Sequence, residues 1–217
     1  MKPLHQTLRI SEIFYSLQGE STTVGLPTVF VRLTGCPLRC QYCDTSYAFS
    51  GGNVITIDDI MSKIISFDCQ YVCVTGGEPL AQPGCLNLLS QLCEQGFHVS
   101  LETSGARDIA GVDSKVMIVM DLKTPDSAEC DKNLLSNLTY LKSTDQLKFV
   151  LCSRQDYEWA CQMITEHQLA KKTQLLFSPS WGQLNPTTLA DWIIADKLPV
   201  RFQLQLHKVL WNDEPGR

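Results

Sequence analysis

Cys36, Cys40 and Cys43 stand in the run Cys36-Pro37-Leu38-Arg39-Cys40-Gln41-Tyr42-Cys43, a C-x3-C-x2-C spacing that gathers three thiolates on one tight loop. Thiolates are soft ligands, suited to zinc or to iron–sulfur centres. Structural zinc takes four protein ligands, and no nearby Cys or His supplies the fourth, so zinc here would need a remote one. A 4Fe–4S cluster on three cysteines leaves one iron open to an exogenous ligand, a vacancy more useful to catalysis than to simple electron carriage. Incidental proximity is the remaining reading. The other seven cysteines (Cys69, Cys73, Cys85, Cys93, Cys130, Cys152, Cys161) make no C-x-x-C pair and read as small packed hydrophobes.

The composition narrows the setting of that loop. With 44% hydrophobic and 19% charged residues in 217, the chain has ample apolar surface for a core, which argues against disorder. A formal net charge of −5 gives no basic surface for nucleic acid. The chain is too long for a disulfide scaffold of the small secreted kind. Its apolar run over residues 116–120 is far short of the ~20 residues of a membrane span. Residues 1–6 lack the apolar run of a signal peptide. These features set the expectation of a cytoplasmic protein with one domain over residues 1–217.

Strands alternating with helices must position the loop. Residues 11–17 and 28–34, rich in Val, Ile, Phe and Tyr, read as strands. Thr56 with Asp59 resembles a helix N-cap, followed by the apolar face Ile57, Ile60, Ile64 and Ile65. Further strands are expected over 71–74, 97–101, 116–120, 147–151, 174–177 and 201–206. Helices are expected over 86–93, 133–142, 156–167 and from Pro186 to Ala195. About six such units with right-handed crossovers imply a parallel sheet, either open and doubly wound or curled as a partial barrel.

The unusual motifs fall just past strand ends. The cysteine loop follows residues 28–34, and Thr75-Gly76-Gly77-Glu78-Pro79 follows 71–74. Glu102-Thr103-Ser104-Gly105, Asp121-Leu122-Lys123, Ser178-Pro179-Ser180 and His207-Lys208 repeat the placement. That end of a parallel α/β sheet carries active sites, so the chain reads as an enzyme.

C-x3-C-x2-C with Tyr42 before the third cysteine, joined to Gly76-Gly77-Glu78-Pro79, resembles the radical S-adenosylmethionine superfamily. Within it, the chain resembles the 7-carboxy-7-deazaguanine synthases of queuosine biosynthesis. That likeness is carried by Phe14-Tyr15-Ser16-Leu17-Gln18-Gly19-Glu20, the Gly25 to Leu33 run, Gly35-Cys36-Pro37, Cys43-Asp44-Thr45, and the Thr75 and Glu102 motifs. It continues more weakly through Asp121-Leu122-Lys123-Thr124-Pro125 and Gln205-Leu206-His207-Lys208.

The resemblance implies a partial, modified (β/α)6 TIM-like barrel holding a 4Fe–4S cluster on Cys36, Cys40 and Cys43, with S-adenosylmethionine and Mg2+. The implied reaction is the ring contraction of 6-carboxy-5,6,7,8-tetrahydropterin to 7-carboxy-7-deazaguanine and ammonia, with S-adenosylmethionine reused. It further implies a homodimer and an electron donor such as flavodoxin or a chemical reductant, with no nucleic acid and no membrane.

Carried onto this chain, Leu17, Gln18, Gly19, Glu20, Arg32 and Thr75 would line the substrate, and Thr45 would ligate Mg2+. Tyr42, Cys43, Asp44, Gly77 and Ser104 would touch S-adenosylmethionine. So would Asp121, Leu122 and Lys123, where some members have Ser-Pro-Lys, and Ser178, Pro179 and Ser180. Glu102 could hold either ligand. Each residue also has a plainer reading: a surface turn for Gln18, an ion pair with Glu20 for Arg32, and a cap or Asx turn for Asp44-Thr45. His207 could donate a proton during ammonia loss or be structural. Residues 201–217 could cover the substrate.

Two other functions share part of this pattern. A glycyl-radical activase has the three-cysteine loop and needs a protein partner, but not Gln18, Glu20, Arg32 and Asp44-Thr45 together. A non-enzymatic electron-transfer protein would not cleave S-adenosylmethionine.

Overall fold

Residues 18–26 are too few to carry the chain over a sheet face, and that sets the first departure from simple strand–helix alternation. In a computed structural model, which describes residues 7–212, 214 and 216, β1 (Thr7–Leu17) and β2 (Pro27–Leu33) pair antiparallel. A parallel pair needs a crossover of a dozen or more residues. Here the loop closes on itself through Gln18 N–H to Leu26 O (2.9 Å) and Gly25 N–H to Gln18 O (2.8 Å). A short β3 (Asn53–Thr56) adds antiparallel to the other side of β1.

From β2 onward the sheet is parallel. Its further strands are β4 (Tyr71–Gly76), β5 (His98–Thr103), β6 (Met117–Asp121), β7 (Gln146–Leu151), β8 (Gln174–Pro179) and a two-residue β9 (Arg201–Phe202). Together the nine run in the order β3-β1-β2-β4-β5-β6-β7-β8-β9. Val29, Val31 and Leu33 of β2 and Val72 and Val74 of β4 stand at alternate positions and, with Leu101 of β5, are buried in the core with helix residues such as Ile60 and Leu88, while Phe30, Arg32 and Thr75 face a cavity.

Four helices supply the outer layer: α1 (Ile57–Ile65), α2 (Cys85–Glu94), α3 (Arg154–Glu166) and α4 (Pro186–Ala195). Thr56 caps α1 as its sequence indicates, accepting from Asp59 N–H at 3.1 Å. Asn185 caps α4 ahead of Pro186 at the first helical position. A last helix, α5 (Leu206–Trp211), follows β9.

Two expected elements are different. Residues 133–142 form no α-helix, only a 3-10 turn at Leu135–Thr139. Their asparagines serve other backbones: buried Asn137 donates to Gly105 O (3.1 Å) and Arg107 O (2.7 Å), and Asn133 donates to Lys123 O (2.8 Å). Such side-chain bonds compete with helix formation. The strand expected over 201–206 stops after Phe202, because Gln203 turns inward, and His207 therefore lies on α5 rather than at a strand end.

Gln203 also shows that the sheet curls. Its amide accepts from Ser21 N–H (3.0 Å) and donates to Ser21 O (2.8 Å), while Gln146 of β7 accepts from Thr22 N–H (2.9 Å). The loop after β1 thus meets the far side of the sheet across 182 residues of sequence. The result is an open sheet rolled into a partial barrel.

Candidate active site

The cysteine loop begins at Gly35, whose N–H bonds Ala48 O at 2.7 Å. Leu38 is buried beneath the loop, and the Arg39 guanidinium lies 4.3 Å from the Phe49 ring centroid. This anchoring leaves Cys36, Cys40 and Cys43 half-buried as free thiols on one wall of a cavity of about 320 Å3. Burial pushes all three thiols up, Cys40 to about 11, against the opposing pull of the Lys123 ammonium. Among the described residues, no three His, Cys, Asp or Glu side chains are grouped to hold a single metal ion. A soft donor set spread along one wall fits an iron–sulfur cluster better than mononuclear zinc.

The turn after β4 packs directly under that loop. Gly77 N–H bonds Leu33 O (3.1 Å), and Glu78 N–H bonds Gly35 O (2.8 Å). A Cβ on Gly77 would collide with the Gly35 carbonyl and the Cys36 Cβ, so only glycine permits this approach. The Glu78 side chain, fully buried, accepts from Thr103 Oγ1 (2.9 Å), Ser104 N–H (2.8 Å) and Leu80 N–H (3.0 Å). Glu78 therefore ties the turns after β4 and β5 to the thiol-bearing loop.

Across the cavity floor runs a chain of alternating charges. Lys123 Nζ lies 2.9 Å from Asp121 Oδ2, Lys148 Nζ lies 3.8 Å from the same oxygen, and Lys148 also pairs with Glu20. Burial alone would lower both ammonium groups, but the adjacent carboxylates outweigh it and hold them above the usual lysine range. Burial opposes the charged form of Glu20 too, and Lys148 reverses the sign, keeping that carboxyl low. Two cations and two anions balance, which is the condition for keeping such groups out of water. Asp121 Oδ1 is buried without a hydrogen-bond partner and is a ready acceptor for a bound donor.

Adjoining Glu20 are the other residues expected to meet substrate. Gln18 is buried, its Oε1 accepting from Glu20 N–H (3.1 Å). Thr75 Oγ1 donates to Glu102 Oε2 at 2.9 Å. Arg32 is not paired with Glu20. Its Nε donates to Glu12 at 2.6 Å, and its guanidinium lies 5.8 Å from the Phe14 ring and 5.9 Å from the Tyr47 ring. Thr45 Oγ1 donates to Asp44 Oδ1 (2.8 Å), and Asp44 Oδ2 pairs with Lys208 Nζ (3.1 Å).

Leu17, Gln18, Gly19, Glu20, Arg32, Tyr42, Asp44, Thr45, Thr75, Gly77, Ser104, Asp121, Lys123 and Ser180 all line this one cavity with the three cysteines. Leu122, Ser178 and Pro179 do not. Leu122 packs into the core, and the latter two are buried in β8. Lys148 and Trp181 are cavity residues that the sequence motifs do not mark, and Gln205 and Lys208, which the motifs do mark, line the cavity without having an expected role. Lys148 carries the same signal as Arg32, a charge inside an apolar strand.

Residues 30–133 match the Radical SAM superfamily. Over 210 residues the chain is 46% identical to the 7-carboxy-7-deazaguanine synthase of Chlorobaculum tepidum, covering 95% of this chain and 96% of that protein. The chain belongs to the 7-carboxy-7-deazaguanine synthase family. The Koribacter versatilis member is 38% identical, over 95% of this chain and 98% of its own. Among solved structures, QueE from Escherichia coli shares the fold with a TM-score of 0.77 at 23% identity, covering 93% of this chain and 95% of that one. Family membership brings a 4Fe–4S cluster, S-adenosylmethionine and Mg2+, and the thiol wall, the Gly77 approach and the orphaned Asp121 oxygen fit that set. As in the other synthases, the chain is an enzyme acting on a small molecule with a reductant. Among the described residues no helix is long and apolar enough to cross a membrane.

Proposed function

We propose that this chain is a 7-carboxy-7-deazaguanine synthase, converting 6-carboxytetrahydropterin to 7-carboxy-7-deazaguanine and ammonia. The observation that carries the reading is the single cavity faced by the Cys36–Cys40–Cys43 wall and by Gln18, Glu20, Arg32 and Glu102. The substrate's atoms equal those of product plus ammonia, so no net oxidation occurs and any hydrogen atom removed must be returned. When bound, the cluster with S-adenosylmethionine supplies a carbon-centred radical able to take that hydrogen atom.

The chain's own residues supply placement. Arg32 spends Nε on Glu12, which leaves its two terminal nitrogens to grip the substrate carboxylate as a fork. Glu20 and Glu102 present carboxylates to the donor edge of the pterin, and Gln18 reads the same edge. Thr45 offers a hydroxyl to Mg2+, an ion that takes few protein ligands. In the same cavity, Tyr42, Cys43, Asp44, Gly77, Ser104, Asp121, Lys123 and Ser180 hold S-adenosylmethionine. A single domain, a cytoplasmic homodimer and a flavodoxin-type electron donor complete the reading. Its test is mass spectrometry of an anaerobic reaction on reconstituted protein. 7-Carboxy-7-deazaguanine supports it, whereas 5′-deoxyadenosine without that product would favour the glycyl-radical activase.

A further inference from the structure

Gln205 sits at the N-terminal edge of α5, but its side chain does not cap that helix. It turns into the cavity, where Nε2 lies 2.7 Å from Glu20 Oε1 and 3.2 Å from Asp44 Oδ2. Carboxylates only accept, and an amide nitrogen carries two hydrogens, so both are used, one on each anion. The two carboxylates come from loops far apart in sequence, and each has its own counter-ion: Lys148 for Glu20 and Lys208 for Asp44. Lys148, Glu20, Gln205, Asp44 and Lys208 thus form one continuous chain across the cavity.

The backbone around Gln205 is fixed to the loop it serves. Leu206 N–H bonds Gly19 O at 2.9 Å, and Gln203 makes its paired bonds to Ser21. His207 lies so close to Gly19 that a Cβ there would run into the imidazole. This docking aims the Gln205 amide while adding no charge between two like charges.

We propose that Gln205 is a positioning residue that holds Glu20, on the substrate loop, and Asp44, on the metal-binding loop, in a fixed relation, so that pterin binding and Mg2+ binding support each other. This rests on the assignment of Glu20 to substrate and of Thr45 to Mg2+. Methionine at this position keeps the length of the side chain and removes both donors. Glutamate adds a third negative charge.

The experiment is calorimetric titration of 6-carboxytetrahydropterin into the anaerobic holoenzyme with and without Mg2+, for wild type, Gln205→Met and Gln205→Glu, each checked for its thermal midpoint. The expected result is that Mg2+ tightens pterin binding to wild type, that Gln205→Met weakens binding about tenfold, and that the Mg2+ benefit shrinks with it. Gln205→Glu is weaker still. Wild-type affinity and an intact Mg2+ response in Gln205→Met would overturn the proposal alone. A fall in midpoint with no selective change in the Mg2+ response would also overturn it, as a structural role only. A wild type that binds no pterin would overturn the assigned reaction, and this proposal with it.

Discussion

Glu78 accepts from Ser104 twice, from the backbone N–H at 2.8 Å and from the hydroxyl at 2.5 Å. The first residue ends the turn after β4, and the second follows β5. Because Glu78 N–H also bonds Gly35 O, one residue sets the relative position of two strand-end turns and of the thiol-bearing loop. The acid of this Gly-Gly-Glu-Pro turn is therefore a structural joint, and the cavity-facing role falls to the glycines before it.

Removing that joint has a measurable cost. Glu78→Ala leaves the Thr103 O–H and the Ser104 N–H buried without the acceptor they now share, so stability should fall by about 3 kcal/mol or more. Chemical denaturation of the apo protein checks this, and iron content after reconstitution should fall in parallel.

Gly77→Ala should disrupt cluster loading more than stability elsewhere. Its new Cβ meets backbone at Gly35 and the Cβ of Cys36, neither of which can swing away. Iron and sulfide analysis should show well under half the wild-type load.

Cys40→Ala should abolish the cluster and its brown colour. Cys152→Ala should leave iron content unchanged, since Cys152 is not among the cavity-lining thiols. Iron analysis of the two variants side by side separates the loop cysteines from the dispersed ones.

Arg32→Ala should weaken pterin binding about tenfold or more while 5′-deoxyadenosine formation persists. Arg32→Lys should rescue poorly, because an ammonium cannot serve Glu12 and a substrate carboxylate with the same planar fork. The KM for pterin and the rate of uncoupled cleavage report the two effects separately.

The acid side of the stability profile follows from Glu20 and Asp44. Both carboxyls are held below their ordinary values of 4.5 and 3.8, Glu20 by Lys148 and Asp44 by Lys208, in each case against burial. A depressed folded value means the unfolded chain binds protons first. The stabilisation is therefore full above the ordinary values and is lost as pH falls through the folded ones. Lys148→Met removes the cation and leaves burial to raise Glu20. Its melting temperature should fall further below wild type at pH 7 than at pH 4, as thermal scans across that range would show.

What was legible in the sequence divides along the same physical lines. Period, a cap and a proline marked α1 and α4, because Thr56 and Pro186 act within one turn of themselves. The cysteine spacing and the Gly-Gly-Glu-Pro turn marked the site because local chemistry demands those types at those positions. Residues 133–142 misled because the partners of Asn133 and Asn137 lie in distant loops, at Lys123, Gly105 and Arg107. The plainer reading of Arg32, an ion pair with Glu20, names the wrong carboxylate, because the β1–β2 register sets Glu12 directly across from it. The short connection between β1 and β2 was itself readable as a hairpin, but the alternation farther along concealed it. The approach of Gln205 to both Glu20 and Asp44 depends on how the sheet curls, and no local pattern encodes that.

One measurement bears most directly on the claim that cofactor and substrate share this cavity. In an anaerobic reaction with reductant, Mg2+, S-adenosylmethionine and 6-carboxytetrahydropterin, product formed is counted against S-adenosylmethionine consumed. Many molecules of 7-carboxy-7-deazaguanine per S-adenosylmethionine lost are expected, because the hydrogen atom taken from the substrate is returned within the same cavity. One 5′-deoxyadenosine for every product, or 5′-deoxyadenosine with no product, would contradict it.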